Sequence, residues 1–281
     1  MNFRNLSQTG ASEKRFAMTQ KERRIYLIQK LLSENTLYKN VGIPENEWER
    51  KQLLRALFNL RMPGEAEDEF LQIQDAYLQE ETKKKGITDL AALTPVQDGI
   101  YLWKGDITTL RCDAVVNAAN CQMLGCFCPN HGCIDNAIHT FSGIQLRAAC
   151  ARLMEQQGHE EETGGAKITP AFNLPSKYVI HTVGPVIKGE LTHKDEKMLE
   201  SCYHSCLVLA DKNDVKSIAF CCISTGEFHF PNDKAAEIAV RTVKKYKGQT
   251  NSEIEVIFNV FKETDYEIYQ KLLRADGGAG K

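Results

Sequence analysis

Asp113-Ala114-Val115-Val116-Asn117-Ala118-Ala119-Asn120 is the stretch on which the fold turns. Its apolar residues run together instead of alternating, which is the mark of a strand covered on both faces. Two amides and small residues then close it, so the strand ends in something other than a hydrophobic turn. Ile218-Ala219-Phe220-Cys221-Cys222-Ile223 has the same texture. Working outward, further strands are expected at 100–104, 166–171, 178–183 and 253–260, with the two quoted ones spanning 113–118 and 217–223. Helical periodicity fills 134–156, 195–212, 233–244 and 265–274. Strands alternating with helices predict an α/β domain with helices on both sides of the sheet.

Upstream the texture differs. From 19 to about 62 the pattern is helical, with Ile25, Ile28, Leu31 and Leu32 on one face and Leu53, Leu54, Leu57 and Phe58 on another. Pro63-Gly64 separates a third segment at 66–84, whose stripe is Phe70, Ile73, Tyr77 and Leu78. Lys83-Lys84-Lys85-Gly86 stops it with basic residues at the negative end of the helix dipole. These stripes read as packing faces without chemistry. The expected division is a loose leader at 1–18, a helical extension at 19–95, an α/β domain at 96–274 and a flexible tail at 275–281.

Of the 281 residues, 42% are hydrophobic and 26% charged, which excludes disorder as the dominant state. No apolar run approaches the roughly 20 residues of a membrane span. A formal net charge of −2, with basic residues spread out, ranks nucleic acid last among partners. The first residues lack the apolar core of a secretory signal, so the ten cysteines are expected reduced, in the cytoplasm. Cys121, Cys126, Cys128 and Cys133 crowd together, as a disulfide framework has no reason to do and a metal loop has.

Within that crowd, Cys126, His131 and Cys133 are the best trio of donors, with Cys128 a fourth candidate. Thiolate and imidazole suit zinc. A cluster this local cannot pin distant segments, so three ligands and an open position, the catalytic arrangement, fit better than a structural site. Buried, reduced cysteines acting as small hydrophobes are the plain alternative. Asp106, after the strand at 100–104, faces the usual ligand crevice and is suited to accept from an exocyclic amine, or simply caps a turn. Asn117 and Asn120, with only alanines between them, suit hydroxyls, or merely form a turn. The loop Ser224-Thr225-Gly226-Glu227-Phe228-His229-Phe230-Pro231 joins a strand to a helix, where backbone N–H groups can cradle phosphate. Phe228 or Phe230 offers a face to a sugar or base. Asp135 opens a helix beside the Cys/His loop, either as a cap or as a carboxylate that orients water.

Gly105-Asp106-Ile107-Thr108, Val116-Asn117-Ala118-Ala119-Asn120, Ile180-His181-Thr182-Val183-Gly184-Pro185 and Ile223-Ser224-Thr225-Gly226 through Phe230-Pro231, in this order, resemble the motifs of the macrodomain family, which binds ADP-ribose. The resemblance covers about 99–273 and implies a three-layer α/β/α fold with a mixed central sheet. Asp135-Asn136-Ala137-Ile138-His139 matches the Asp segment of the hydrolytic members, but residues 126–133 replace their glycines. That departure resembles the zinc-containing macrodomains of bacteria and some microbial eukaryotes, which also carry an N-terminal helical extension. The zinc pattern takes Cys126, His131 and Cys133, one Zn2+ per chain, and leaves Cys128 out.

By the same resemblance, Asp106 accepts the adenine amino group, assisted by the Ile107 amide. Asn259 and Phe261 line the adenine or proximal-ribose side. Backbone amides of Ser224, Thr225, Gly226, Glu227 and Phe228 bind the pyrophosphate. Phe228 lies against the distal ribose, at a position that is often Tyr in the family. Asn120 contacts that ribose with Asn117 supporting the loop, and Asn120 and Asp135 are the catalytic pair. The implied reaction removes mono-ADP-ribose from a modified side chain, an Asp or Glu ester, on a protein such as a lipoate carrier modified by a sirtuin-like transferase; the enzyme is expected to be a monomer. The rival classes are a non-hydrolytic ADP-ribose reader with a structural zinc, and a redox or metal sensor.

Overall fold

The computed structural model describes residues 18–275. Residues 1–17 and 276–281, which hold nearly all of the expected leader and tail, lie outside the described residues.

Three helices form the extension. Helix α1 (Gln20–Ser33) starts at Thr19, whose side chain and that of Glu22 make a reciprocal capping box. The two stripes between 19 and 62 lie on two separate helices. A 3-10 turn at Thr36–Tyr38 follows Asn35, and Asn46 caps the start of α2 (Glu47–Leu60) by accepting from the Trp48 and Glu49 amides. Helix α3 (Asp68–Lys85) ends on three lysines and Gly86, whose φ of 88° suits glycine. Leu27, Ile28, Leu31, Leu54, Leu57, Phe58, Phe70, Ile73, Tyr77 and Leu78 pack into one cluster. Ile144 of the next domain belongs to the same cluster, so the extension is packed onto that domain. Arg24 is buried with it and donates to the Tyr77 hydroxyl at 3.1 Å.

The main sheet has six strands: β1 (Ile100–Lys104), β2 (Ala114–Ala119), β3 (Ala166–Pro170), β4 (Tyr178–Val183), β5 (Ser217–Phe220) and β6 (Glu255–Val260). Their order is β1-β6-β5-β2-β4-β3, with β3 antiparallel to β4 and every other pair parallel. Ala114, Val115 and Val116 are fully buried, as their run predicts. Helices α4 (Ile134–Ser142) and α5 (Ile144–Gln157), backed by the extension, cover one face. Helices α6 (His193–Lys212), α7 (Asn232–Thr250) and α8 (Glu263–Ala275) pack together on the other. The fold is therefore a three-layer α/β/α sandwich with a mixed sheet. A pair of two-residue parallel strands, Thr88–Asp89 and Leu110–Arg111, joins it to the extension.

Two expectations needed correction. The helix at 134–156 is two helices, broken at Gly143, whose φ is 93°. A Cβ there would lie 2.6 Å from the side chains of Gln74 and Gln145, and Gln74 accepts the Ile144 amide at 3.0 Å. The extension thus supplies a partner for the first turn of α5. The strand at 217–223 leaves the ladder after Phe220, and the chain then turns through Ser224 at a φ of 64°. Because β1, β2, β4, β5 and β6 are parallel, the segments following them emerge at one edge, and the order sets the loop after β2 beside the loop after β5.

Candidate functional site

The loop between β2 and α4 is tied to itself first. Asn120 accepts from the Gln122 amide and donates to the Gly125 carbonyl, both at 3.1 Å. Gly125, with a φ of 79°, lies against the His139 ring, where a Cβ would come within 2.7 Å. Beyond it, the Sγ atoms of Cys126 and Cys133 and a ring nitrogen of His131 gather within 4.8 Å of one another. Cys126 Sγ and His131 Nδ1 are 3.6 Å apart. Donors about 2.0–2.3 Å from a single ion need separations of this order, and two thiols with an imidazole are a zinc-type set, so the residues fit the metal. Cys128 is exposed and outside the group. Burial pushes the Cys133 thiol up to about 12, with the neighbouring Cys126 adding to the rise. The other His131 nitrogen, Nε2, faces Glu227 Oε1 at 3.4 Å. A carboxylate on the far nitrogen is what fixes the tautomer of a ligating histidine.

Asp135 lies in the first turn of α4 and is buried. Its Oδ1 accepts from Asn117 Nδ2 at 2.8 Å and stands 3.5 Å from His139 Nε2. Burial raises its pKa to about 6, against the Asn117 hydrogen bond and the charge of Arg147, which lower it. Asn117 is fully buried and its amide also meets His181 Nδ1 at 3.2 Å. It supports Asp135 from within the interior, the place of a residue that holds the loop. His139, Cys150 and His181 form a second close group of donors. Both His181 nitrogens are taken, by Asn117 and by Thr169 Oγ1 at 3.0 Å, and burial pushes the Cys150 thiol up to about 12. That cluster is packed interior behind Asp135. Burial also lowers the His181 pKa to about 3.

After β5 the chain folds on its own backbone. The Phe230 amide donates to the Ser224 carbonyl and the His229 amide to the Gly226 carbonyl, both at 3.0 Å. The Thr225 amide donates to the Cys222 carbonyl at 3.4 Å. Among the described residues, the N–H groups of Ser224, Gly226, Glu227 and Phe228 have no acceptor. Gly184 crosses closely: a Cβ there would sit 2.0 Å from Ser224 Oγ.

Asp106 caps a 3-10 turn (Ile107–Thr109) by accepting from the Thr108 amide, and its Oδ2 pairs with Lys85 Nζ at 2.9 Å. Burial raises its pKa, but the hydrogen bonds from Thr108 and Lys85 outweigh that and hold it below the ordinary carboxylate value. Ile107 is buried, and its amide has no acceptor among the described residues. Asn259 is buried opposite Trp103 and donates to the Gly105 carbonyl at 3.0 Å, so its amide shapes the turn from behind. Phe261, by contrast, is 78% exposed.

The extension reaches this edge too. Arg55 of α2 and Lys85 of α3 contact the Cys/His loop region and Asp106 respectively. Arg147 of α5 holds the Leu124 carbonyl at 2.7 Å and the Phe58 and Asn59 carbonyls at 3.0 and 2.8 Å, and stacks 4.3 Å over Phe127. Of these, the sequence points only to Lys85, as a charge at a helix end. The signal available was Arg55 and Asn59, a polar pair at i, i+4 beside the apolar stripe of α2. Among the described residues no helix is long and apolar enough to cross a membrane.

The Macro domain family profile matches residues 116–239. A protein named protein-ADP-ribose hydrolase from Treponema medium is 60% identical over 260 residues, spanning 91% of this chain and 100% of its own. One of the same name from Staphylococcus aureus (strain MSSA476) is 46% identical over 258 residues, spanning 91% and 97%. Among solved structures, a Trypanosoma brucei macrodomain in complex with ADP-ribose is similar with a TM-score of 0.59 and 33% identity, over 71% of this chain and 86% of that one. An Oceanobacillus iheyensis macrodomain with ADP aligns with a TM-score of 0.58 and 35% identity, over 65% and 94%.

Proposed function

Because the chain belongs to the macro domain family, we propose that it is a protein-ADP-ribose hydrolase whose turnover depends on a zinc ion held by Cys126, His131 and Cys133. The hydrolase activity follows the relatives named for it at 46–60% identity across nearly their whole length. The zinc, and a mono-ADP-ribosyl ester of Asp or Glu as substrate, are the finer part of the reading. The observation that carries it is the 3.4 Å contact of His131 with Glu227, which ties the three-donor loop to the loop with unpaired amides.

In this reading ADP-ribose lies along the C-terminal edge of the sheet. Asp106, still ionised at neutral pH and with lone pairs to spare, accepts the adenine amino group, and the Ile107 amide donates to the ring. Phe261 offers the base a face, and Asn259 holds the turn that shapes that end. The pyrophosphate takes the amides of Ser224, Gly226, Glu227 and Phe228, which need no side-chain rearrangement to donate. Phe228 packs against the distal ribose. Asn120 spends one N–H and one lone pair within its loop and keeps the others for that sugar. Asp135 orients the attacking water and takes its proton, with Asn117 fixing which carboxylate oxygen is free. When bound, zinc supplies a Lewis acid and a template for the distal ribose. The leaving carboxylate needs no proton to depart, which fits a site with a single buried acid. Remote binding at the pyrophosphate fixes geometry at the reacting carbon.

The test is turnover of a protein carrying an ADP-ribosyl carboxylate ester, before and after stripping zinc with a chelator and after adding it back. Loss of cleavage with retained ADP-ribose binding, restored by zinc, is the expected result. Full cleavage by zinc-free protein eliminates the metal. Binding without cleavage by the zinc-loaded protein would leave a reader module instead.

A further inference from the structure

The apolar stripes of the N-terminal helices are packing faces, yet the polar contacts of α2 converge on one segment. Arg55 of α2 donates to Asn136 Oδ1 through Nε at 3.1 Å and Nη2 at 2.8 Å, and Nη2 also donates to the His131 carbonyl at 3.0 Å. Asn136, so held, donates from its side chain to the Cys128 carbonyl at 3.0 Å and from its backbone to Cys133 Sγ at 3.4 Å. One turn on, Asn59 accepts the Asn130 amide at 3.0 Å and donates to Thr140 at 2.9 Å. His131 is thus held at its own carbonyl by α2, Cys126 adjoins the Gly125 tie, and Cys133 receives the Asn136 amide on its Sγ. The loop itself contains Asn130 at a φ of 57° and Gly132, a segment whose own backbone does not dictate a single shape.

We propose that Arg55 is a positioning residue for the Cys126, His131 and Cys133 donors, and that α2 is a brace built into the metal site. This rests on those three residues being the metal ligands. The guanidinium suits the task because its planar fork reaches an amide oxygen and a peptide carbonyl at once, which a single ammonium does not. Its donors are spent on the Asn136 side chain and the His131 carbonyl. Its effect runs through the shape of the loop, so it governs how firmly the ion is held.

The experiment uses the full chain. Zinc-loaded wild type, Arg55→Ala, Arg55→Lys and Leu54→Ala are mixed with an excess of a strong chelator, and zinc loss is followed by a chromogenic reporter, with thermal unfolding and ADP-ribose calorimetry in parallel. Outer contacts of a metal site typically tune affinity by about 10–100-fold, so Arg55→Ala is expected to lose zinc at least ~10-fold faster. Arg55→Lys should fall between it and wild type, and ADP-ribose affinity of the zinc-loaded protein should change by less than about 3-fold, the outcome expected of a residue outside the ligand crevice. Leu54→Ala damages the core of the extension without touching the loop. It should lower the melting temperature while zinc loss, measured well below melting, stays at the wild-type rate. Zinc loss from Arg55→Ala at the wild-type rate overturns the proposal, and so does equal acceleration in Leu54→Ala, which would make the effect one of stability alone. A Cys126→Ser variant separates the two layers: if it holds zinc as wild type does, the ligand assignment itself is wrong and the brace falls with it; if it loses zinc, only the Arg55 results bear on the brace.

Discussion

Two loops stand side by side at the same sheet edge and solve opposite problems. The one after β5 offers backbone N–H groups, and it is shaped by its own backbone, through the Phe230–Ser224 and His229–Gly226 hydrogen bonds. The one after β2 offers side chains, and beyond its own Asn120 ties it is held from outside, by Arg55, Asn59, Asn136 and Arg147. The difference follows from what each presents. A peptide amide is placed by φ and ψ alone, so a tight turn suffices. A thiol or imidazole adds side-chain torsions, and three of them converge only if the backbone between them is held. Glu227 is where the two meet, since it belongs to the first loop and faces His131 of the second.

Four substitutions break or sharpen that contrast, beginning with the largest effect. Cys126→Ser removes a donor and should take zinc content from one per chain to near none by elemental analysis, while the melting of the sheet domain and the affinity for ADP-ribose are little changed; a simultaneous loss of nucleotide binding would mean the two loops are not independent. Asp135→Ala should reduce hydrolysis by about 100-fold or more, the usual worth of a general base, with ADP-ribose still bound in calorimetry. Unchanged turnover removes Asp135 from the chemistry. Gly184→Ala pushes a methyl into Ser224 and so strikes only the backbone-shaped loop. Overpacking of about 1–3 kcal/mol should weaken ADP-ribose roughly 10-fold or more and leave zinc content intact. Phe228→Tyr is the gentlest: a hydroxyl able to reach the distal ribose should tighten ADP-ribose by a few-fold, on the order of one hydrogen bond, with KM rather than kcat responding.

The strands were the most legible part of the chain. Tyr178–Val183 falls where its nearly continuous apolar run puts it, since it is covered on both faces, and the edge strand Ile100–Lys104 falls where its short β-rich run puts it. The helix at 134–156 was misread because one glycine inside a helical pattern usually costs little. What broke it was Gln74, some seventy residues away, taking the Ile144 amide. The metal trio is legible from residue type and spacing; the family pattern already leaves Cys128 out, and its exposed position outside the group agrees. Arg55 and Asn59 are not legible in the sequence, since a polar pair next to an apolar stripe has the composition of any solvated helix edge. Nor does local spacing show that the Thr225 amide bonds Cys222 or that Asn117 is buried behind Asp135.

By itself the sequence determined which atoms are available: soft donors crowded in one loop, a carboxylate opening the next helix, and apolar runs that must lie in a covered sheet. Those are properties of residue type and local spacing, and they survive without knowledge of the rest of the chain. Only the tertiary structure decided which atoms meet. Asp135 is a buried acid because Asn117 and the sheet close over it, and Arg55 reaches His131 across 76 residues of chain because two helices pack. Distances between remote segments are set by how hydrophobic faces cover one another, and many arrangements satisfy the same pattern until packing selects one.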